Sequence, residues 1–421
     1  MSQPLRPYQA RAVDGVRGHW AAGTSAVCLV APTGAGKTRL GEELVDGAGA
    51  VVWIAHRREL VMQTAARLRS RFGKTAVGVI MPGEYETRDA KIQVATVQTL
   101  LARKTLPPCD RLVLDEAHHY AAEEWSRMAR SYPKATTLGL TATPERKDGE
   151  PLGDIFGALV VAAHYSELIA DGFLVPARVY RPASNLGNDL AQDPFDAWRG
   201  CSDGSQAFVF CARVQIAREL AQRFRDSGIT AALIECNTPK RERDDLLSRF
   251  RQGTIRVLTN VNTLTEGVDV PEARTVILAR AFGHVGGFLQ AAGRVLRPAK
   301  GKPDAIVVDL TGSTIRHGLP TDDRVYSLSG RAISGGAPPH GGGIAPAFSQ
   351  EVRGVPLHVV AEGAKRVTDT TAPVGVDDVD RRLAYEQLHA SMRKHGLRPA
   401  MAAIKYHERF GEWPSKEWSG T

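Results

Sequence analysis

Short apolar runs alternate with amphipathic stretches along most of the chain. AVCLVA (26–31) leads into a Gly-rich loop and a helix-like segment. AVVWIAH (50–56) precedes RRELVMQTAARLRSRF, whose apolar positions recur at helical spacing. KIQVATVQTL (91–100), RLVLDEAHH (111–119) and ATTLGLTATP (135–144) extend the series as strand candidates. The alternation predicts an α/β fold with a parallel sheet covered by helices. It then restarts with QAFVFCARVQIARELAQRF (206–224), TAALIEC (230–236), TIRVLTNV (254–261), RTVILARA (274–281) and DAIVVDL (304–310). Two tandem α/β domains are therefore expected, at 1–175 and 176–330, joined near 170–182. A loop-like stretch (181–205) lies early in the second.

From 331 to 375 the pattern dissolves into Gly and Pro, as in SGGAPPHGGGIAPAF, which reads as a linker. Residues 376–421 regain helical spacing and predict a small C-terminal helical module. Its first helix begins with acids and ends in Lys394, His395 and Gly396, and its second is stopped by Gly411 and Pro414. Tyr406, Phe410, Trp413 and Trp418 read as the core of that module, which is also a candidate surface for a protein partner.

Composition narrows the class. The 421 residues are 43% hydrophobic and 24% charged, which excludes a disordered chain and leaves room for two or three domains. A net charge of +8 permits a polyanionic partner. The apolar runs are too short to span a bilayer and the N-terminus is polar, so a cytoplasmic protein without a membrane partner is expected. The five cysteines form no CxxC pair, so no zinc is expected, and Cys211 in FVFCARV reads as a buried core residue.

The chemistry begins at APTGAGKT (31–38), between a strand and a helix. Thr33, Gly34, Ala35 and Gly36 are small enough for backbone amides to curl around phosphate oxygens, and a helix N-terminus adds positive potential. Lys37 would reach the β- and γ-phosphates and Thr38 would ligate Mg²⁺. Ala31 departs from the glycine that opens the general GxxxxGKT pattern. In LVLDEAHH, Asp115 ends an apolar strand and can hold Mg²⁺, while Glu116 can take a proton from an attacking water. Together these residues point to hydrolysis of a nucleoside triphosphate. In FLQAAGRVLRP (288–298), Gln290, Arg294 and Arg297 stand at i, i+4 and i+7 and share a helix face around Gly293. That is either a solvated face or a cluster of donors for an anion held elsewhere in the chain.

These motifs occur in the order found in superfamily 2 helicases and translocases, which residues 3 to 330 resemble. LRPYQ (5–9) resembles the adenine-recognition motif, with Gln9 for the base and Arg6 nearby. AHRREL and VATVQTL resemble strand-contacting motifs. TATP (141–144) resembles motif III, which implies that Thr141 and Thr143, with His118 as relay, couple the ATP site to the strand. TEGVDVP (265–271) resembles motif V, placing Gly267 and Asp269 near the nucleotide, and QAAGRVLRP resembles motif VI. The resemblance implies two RecA-like domains with Mg²⁺ and ATP between them. Arg294 and Arg297 would be arginine fingers, and Gln290 would contact phosphate or water. By the same resemblance Arg57, Arg58, Thr96, Gln98 and Thr99, with Thr238, Arg243 and Thr259, would contact nucleic acid. HRREL and QAAGRVLR depart from the RNA-directed DEAD-box patterns, and the set looks closer to RadD-like, UvsW-like and XPB-like enzymes. The expectation is a DNA helicase or translocase. An RNA helicase and an ATP-switched DNA-binding subunit remain as alternatives, and repair, recombination, phage replication and defence remain open as pathways.

Overall fold

The computed structural model describes residues 4–83, 89–103, 105–119, 122–145, 151–264, 268–329 and 357–361. The first unit is built on strands β1 (Ala26–Val30), β2 (Val51–Ile54), β3 (Val77–Ile80), β4 (Ile92–Ala95), β5 (Arg111–Asp115), β6 (Thr136–Thr141) and β7 (Ala158–Val161). They form a parallel sheet in the order β3-β4-β2-β5-β6-β1-β7. Its helices are α1 (Pro7–Ala21), α2 (Lys37–Val45), α3 (Arg58–Phe72), α4 (Val97–Leu101), α5 (Ala122–Ser131) and α6 (Tyr165–Ala170). The central strands are buried on both faces, which is why they read as unbroken apolar runs.

The second unit repeats the plan with β8 (Ala177–Pro182), β9 (Ala207–Cys211), β10 (Ala231–Ile234), β11 (Val257–Asn260), β12 (Thr275–Ala279), β13 (Ala305–Asp309) and β14 (Leu357–Ala361). The order is β10-β11-β9-β12-β13-β8-β14, parallel except for the edge strand β14. Its helices are α7 (Pro194–Cys201), α8 (Val214–Asp226), α9 (Lys240–Arg251), α10 (Val285–Ala292) and α11 (Ser313–His317).

Several local readings change. KIQVATVQTL is a strand only to Ala95, because Thr96 starts helix α4. His118 and His119 lie on a one-turn 3-10 helix, not on a strand. The loop-like stretch 181–205 contains α7, whose N-cap Asp193 accepts the amides of Phe195 at 2.9 Å and Asp196 at 3.3 Å. Part of the Gly/Pro-rich stretch, Leu357–Ala361, pairs with β8. The helical module expected at 376–421 and the motif V residue Gly267 lie outside the described residues.

The units are packed together. One buried apolar cluster runs from Tyr8, Ala35 and Leu40 through Leu174 and Val175 to Leu289 and Leu296. The Val175 amide donates to the Leu296 carbonyl at 2.8 Å where the chain enters β8. After α11 the chain turns back to the first unit. Asp323 accepts the Ser166 amide at 2.9 Å, the Gly153 amide donates to the Leu328 carbonyl at 2.8 Å, and Tyr326 and Leu328 pack on the first unit's core.

Asp309, fully buried at the end of β13, organises the turn behind α10. Its carboxylate accepts the amides of Thr311 (3.1 Å), Gly312 (3.0 Å) and Thr314 (2.7 Å) and the Thr314 hydroxyl (2.8 Å). That turn presents Ser313 to the Phe282 amide, and His317 stacks on Phe288 of α10. Asp309→Ala leaves these donors without their acceptor and is expected to lower unfolding free energy by about 1–3 kcal/mol, read from urea denaturation.

Candidate functional site: a phosphate loop closed by the second unit

The loop after β1 folds as its small residues allow. Gly34 (φ 95) and Gly36 (φ 85) take left-handed backbone conformations that a side chain would strain. Gly36 is the N-cap of α2 and makes no side-chain cap bond, so the first-turn amides of α2 have no acceptor within the helix. The loop is braced from behind by α1. The Tyr8 hydroxyl donates to the Ala35 carbonyl at 2.7 Å and Gln9 Nε2 to the same carbonyl at 3.1 Å. Gln9 Oε1 accepts the Arg6 amide at 3.1 Å, and the Arg6 guanidinium lies 4.3 Å over the Phe173 ring. Gln9 and Arg6 thus fix the loop and the connector between the units.

Asp115 and Glu116 lie beyond the carboxyl end of β5, where an open parallel sheet leaves a crevice. Glu116 has φ 53, unusual for a residue with a side chain, and the turn aims its carboxylate back at the loop. Lys37 Nζ is 3.3 Å from Glu116 Oε1. Glu116 Oε2 faces His118 Nδ1 at 3.6 Å, and that nitrogen is 2.8 Å from Thr141 Oγ1. Thr141 directs its one proton to the Thr143 carbonyl at 2.5 Å, so Nδ1 of His118 is the donor in the His118–Thr141 bond. Lys37, Glu116, His118, Thr141 and Thr143 thus lie in one line of close polar groups, hydrogen-bonded from His118 onward. Burial and the adjacent Glu116 carboxylate push Asp115 up to about 7, with Lys37 opposing them.

Helix α10 of the second unit lies across this crevice. A Cβ on Gly293 would come 2.6 Å from Thr33 Cβ, and one on Gly286 would come 3.0 Å from Thr143 Oγ1. Small residues at both ends of α10 thus let it rest against the phosphate loop and the TATP turn. Gln290 is buried, and its Nε2 has no hydrogen-bond partner among the described residues; the same holds for Thr33 Oγ1, Thr143 Oγ1 and Glu116 Oε2. Buried polar atoms without partners are costly, and their grouping at this interface fits a polar ligand between the units. An anion with its cation, such as Mg-ATP, suits a set of one lysine, one amide, two hydroxyls and two carboxylates.

The two arginines are already engaged. Arg294, buried, donates to the Val268 carbonyl at 2.5 Å, and Arg297 pairs with Asp269. The Arg297 side chain also borders the phosphate loop, with Nε 3.8 Å from where a Cβ on Gly34 would stand. Asp269 therefore holds an arginine.

The expected strand contacts divide. Arg57, Arg58 and Gln98 are exposed and Thr99 is half-buried. Thr96 is buried, and its hydroxyl lies 2.8 Å from that of Thr99. Thr238 accepts the Glu235 amide at 2.9 Å. Thr259 is fully buried and donates to the Ala217 carbonyl at 2.8 Å, holding α8 on the sheet, so its hydroxyl is engaged within the second unit. Arg243 is mostly covered and reaches across to the first unit, pairing with Glu59 at 2.8 Å. Cys211 is buried, which pushes its thiol up to about 12, as befits a core residue.

Two family models match the segments that carry these residues. The family model described as "Type III restriction enzyme, res subunit" matches residues 2–146, and that of the "Helicase conserved C-terminal domain" matches 196–299. These matches are consistent with a superfamily 2 helicase, and XPB-type proteins are among the relatives. It is 30% identical to the DNA 3'-5' helicase XPB of Kineococcus radiotolerans over 70% of this chain and 57% of that protein. It is 25% identical to the DNA 3'-5' translocase XPB2 of Sulfurisphaera tokodaii over 73% of this chain and 81% of that protein. The chain spans 67% of a Lactococcus phage protein of 51.5 kDa, at 27% identity over 69% of its own length. Several relatives thus extend well beyond the matched part. The fold also resembles the ATP-dependent Type ISP restriction-modification enzyme LlaBIII bound to DNA, with a TM-score of 0.56 and 16% identity over 74% of this chain and 28% of that one.

Two outcomes are expected of the protein without ligand. Gly293→Ala should push α10 off Thr33, so amide hydrogen exchange across residues 33–38 should rise while the rest of both sheets stays protected. Asp115 has its carboxyl raised from 3.8 to about 7 in the fold, so its contribution to stability is complete below pH 4 and is lost as pH rises through 7. Asp115→Asn should flatten that part of the stability profile, measured by urea denaturation at pH 5 and pH 8.

Proposed function

We propose that the protein is a DNA-stimulated ATPase that moves along or remodels DNA, its site completed when the second unit closes on the first. The observation that carries this reading is the meeting of Gly293 with Thr33, which brings Gln290 and Arg297 to the loop that holds Lys37. The matched family models and the XPB-type relatives support DNA as the polynucleotide.

In this reading the amides of residues 34–38 and Lys37 bind the β- and γ-phosphates. Thr38 and Asp115 would hold the magnesium ion, which would neutralise charge on the terminal phosphates. Glu116 orients the attacking water and takes its proton. With ATP bound, Lys37 would turn from Glu116 to phosphate, leaving that carboxylate free for water. His118, 3.6 Å from Glu116 and hydrogen-bonded to Thr141, and Thr143, against which Gly286 of α10 rests, lie between Glu116 and α10 and would couple the two. Arg297 and Arg294 supply positive charge as the terminal phosphate leaves, a contribution on the order of 10³–10⁵ in rate for an arginine finger. Exposed Arg57, Arg58 and Gln98 contact the strand. Arg243 joins them by exchanging Glu59 for a phosphate. Such contacts make binding largely sequence-independent and salt-sensitive.

ATP hydrolysis measured with matched single-stranded DNA and RNA tests this directly. DNA should raise the rate about tenfold or more, Lys37→Ala should abolish it, and Glu116→Gln should bind ATP yet turn over slowly. No stimulation by either polymer would contradict the proposal, and stimulation by RNA alone would assign the motor to RNA. Strand displacement assayed in parallel separates unwinding from translocation.

A further inference from the structure

Lys302 lies five residues beyond Arg297, outside every motif. Its ammonium group nevertheless donates to three backbone carbonyls: Pro271 at 2.8 Å, Ala273 at 2.7 Å and Arg297 at 2.9 Å. The first two belong to the segment after Asp269, and the third is the carbonyl of the arginine that borders the phosphate loop. Arg297 is thus held at both ends by one segment. Asp269 pairs with its guanidinium, and Lys302 ties its carbonyl to residues 271 and 273. Asp269 is itself fixed, because its carbonyl accepts Arg251 Nε at 3.2 Å.

We propose that Lys302 is a positioning residue for Arg297, clamping the motif V segment to the motif VI arginine so that the guanidinium meets the phosphate loop when the units close. The inference rests on the ATPase reading above. A protonated amine has three N–H donors, one for each carbonyl, and no neutral side chain of that length supplies three. Burial, with Arg297 and Arg274 nearby, pushes Lys302 down to about 7, while Glu272 and Asp304 hold it up. The three carbonyl dipoles also favour the charged form.

The test is a double-mutant cycle on the full chain. Steady-state ATP hydrolysis with saturating single-stranded DNA is measured for wild type, Lys302→Met, Arg297→Ala and the double variant, with a thermal melt of each. Lys302→Met should lower kcat about 10- to 100-fold with KM for ATP changed less than about threefold. The double variant should be no slower than Arg297→Ala alone, because the lysine acts through the arginine. An unchanged kcat in Lys302→Met, or losses that multiply in the double variant, would overturn the proposal. Lys302→Gln, which keeps two donors, takes its place in the cycle if Lys302→Met does not melt cooperatively. Hydrogen exchange across residues 294–297 gives an arm independent of activity. The lysine variant should lose protection there, and unchanged protection overturns the clamp. A wild type that hydrolyses ATP without response to DNA would instead sink the functional reading, while the exchange arm still decides the clamp.

Discussion

The contact of α10 with the phosphate loop is the constraint on which the site depends. Two residues without bulk, Gly293 and Gly286, let a helix of one sheet unit approach Thr33 and Thr143 of the other to within van der Waals distance. That approach brings Gln290 and Arg297 to the loop that carries Lys37. The buried cluster from Leu40 through Leu174 to Leu296 gives that approach its hydrophobic support. The return of residues 323–328 to the first unit ties the two together a second time.

The closed arrangement leaves buried polar atoms unsatisfied, and they gather where the units meet. Glu116 adopts a strained backbone beside them. A purely structural interface would have filled these positions with paired or apolar groups. The ionic contacts read as placeholders: Lys37 on Glu116, Arg297 on Asp269 and Arg243 on Glu59 are each a cation resting on a carboxylate. Each cation would meet a phosphate oxygen in a loaded motor. Asp269 and Glu59 are well exposed, so water can take over when their arginines leave, and each cation keeps an anionic partner.

Much of this was legible in the sequence, for a physical reason. Strands buried on both faces are apolar along most of their length, so β1, β2, β5, β9, β12 and β13 announce themselves as runs. The phosphate loop and the Asp115–Glu116 pair also have local signatures, since each works through neighbours in the chain. What stayed hidden depends on distant partners. Thr259 reads as polar and available, yet its hydroxyl serves the Ala217 carbonyl, which no local pattern reveals. Arg243 reads as a strand contact, but its partner Glu59 lies 184 residues away. Lys302 carries no motif at all, because its role comes from three carbonyls brought together by the fold. The helix α7 was masked by a polar approach, although Asp193 followed by Pro194 is a helix-start signal.

A structure of the protein with a non-hydrolysable ATP analogue, Mg²⁺ and single-stranded DNA tests the central claim most directly. The account expects Gly293 still seated against Thr33 and the Arg297 guanidinium moved from Asp269 to the terminal phosphate. An analogue bound in the loop with the units apart, or with Arg297 still on Asp269, would contradict it.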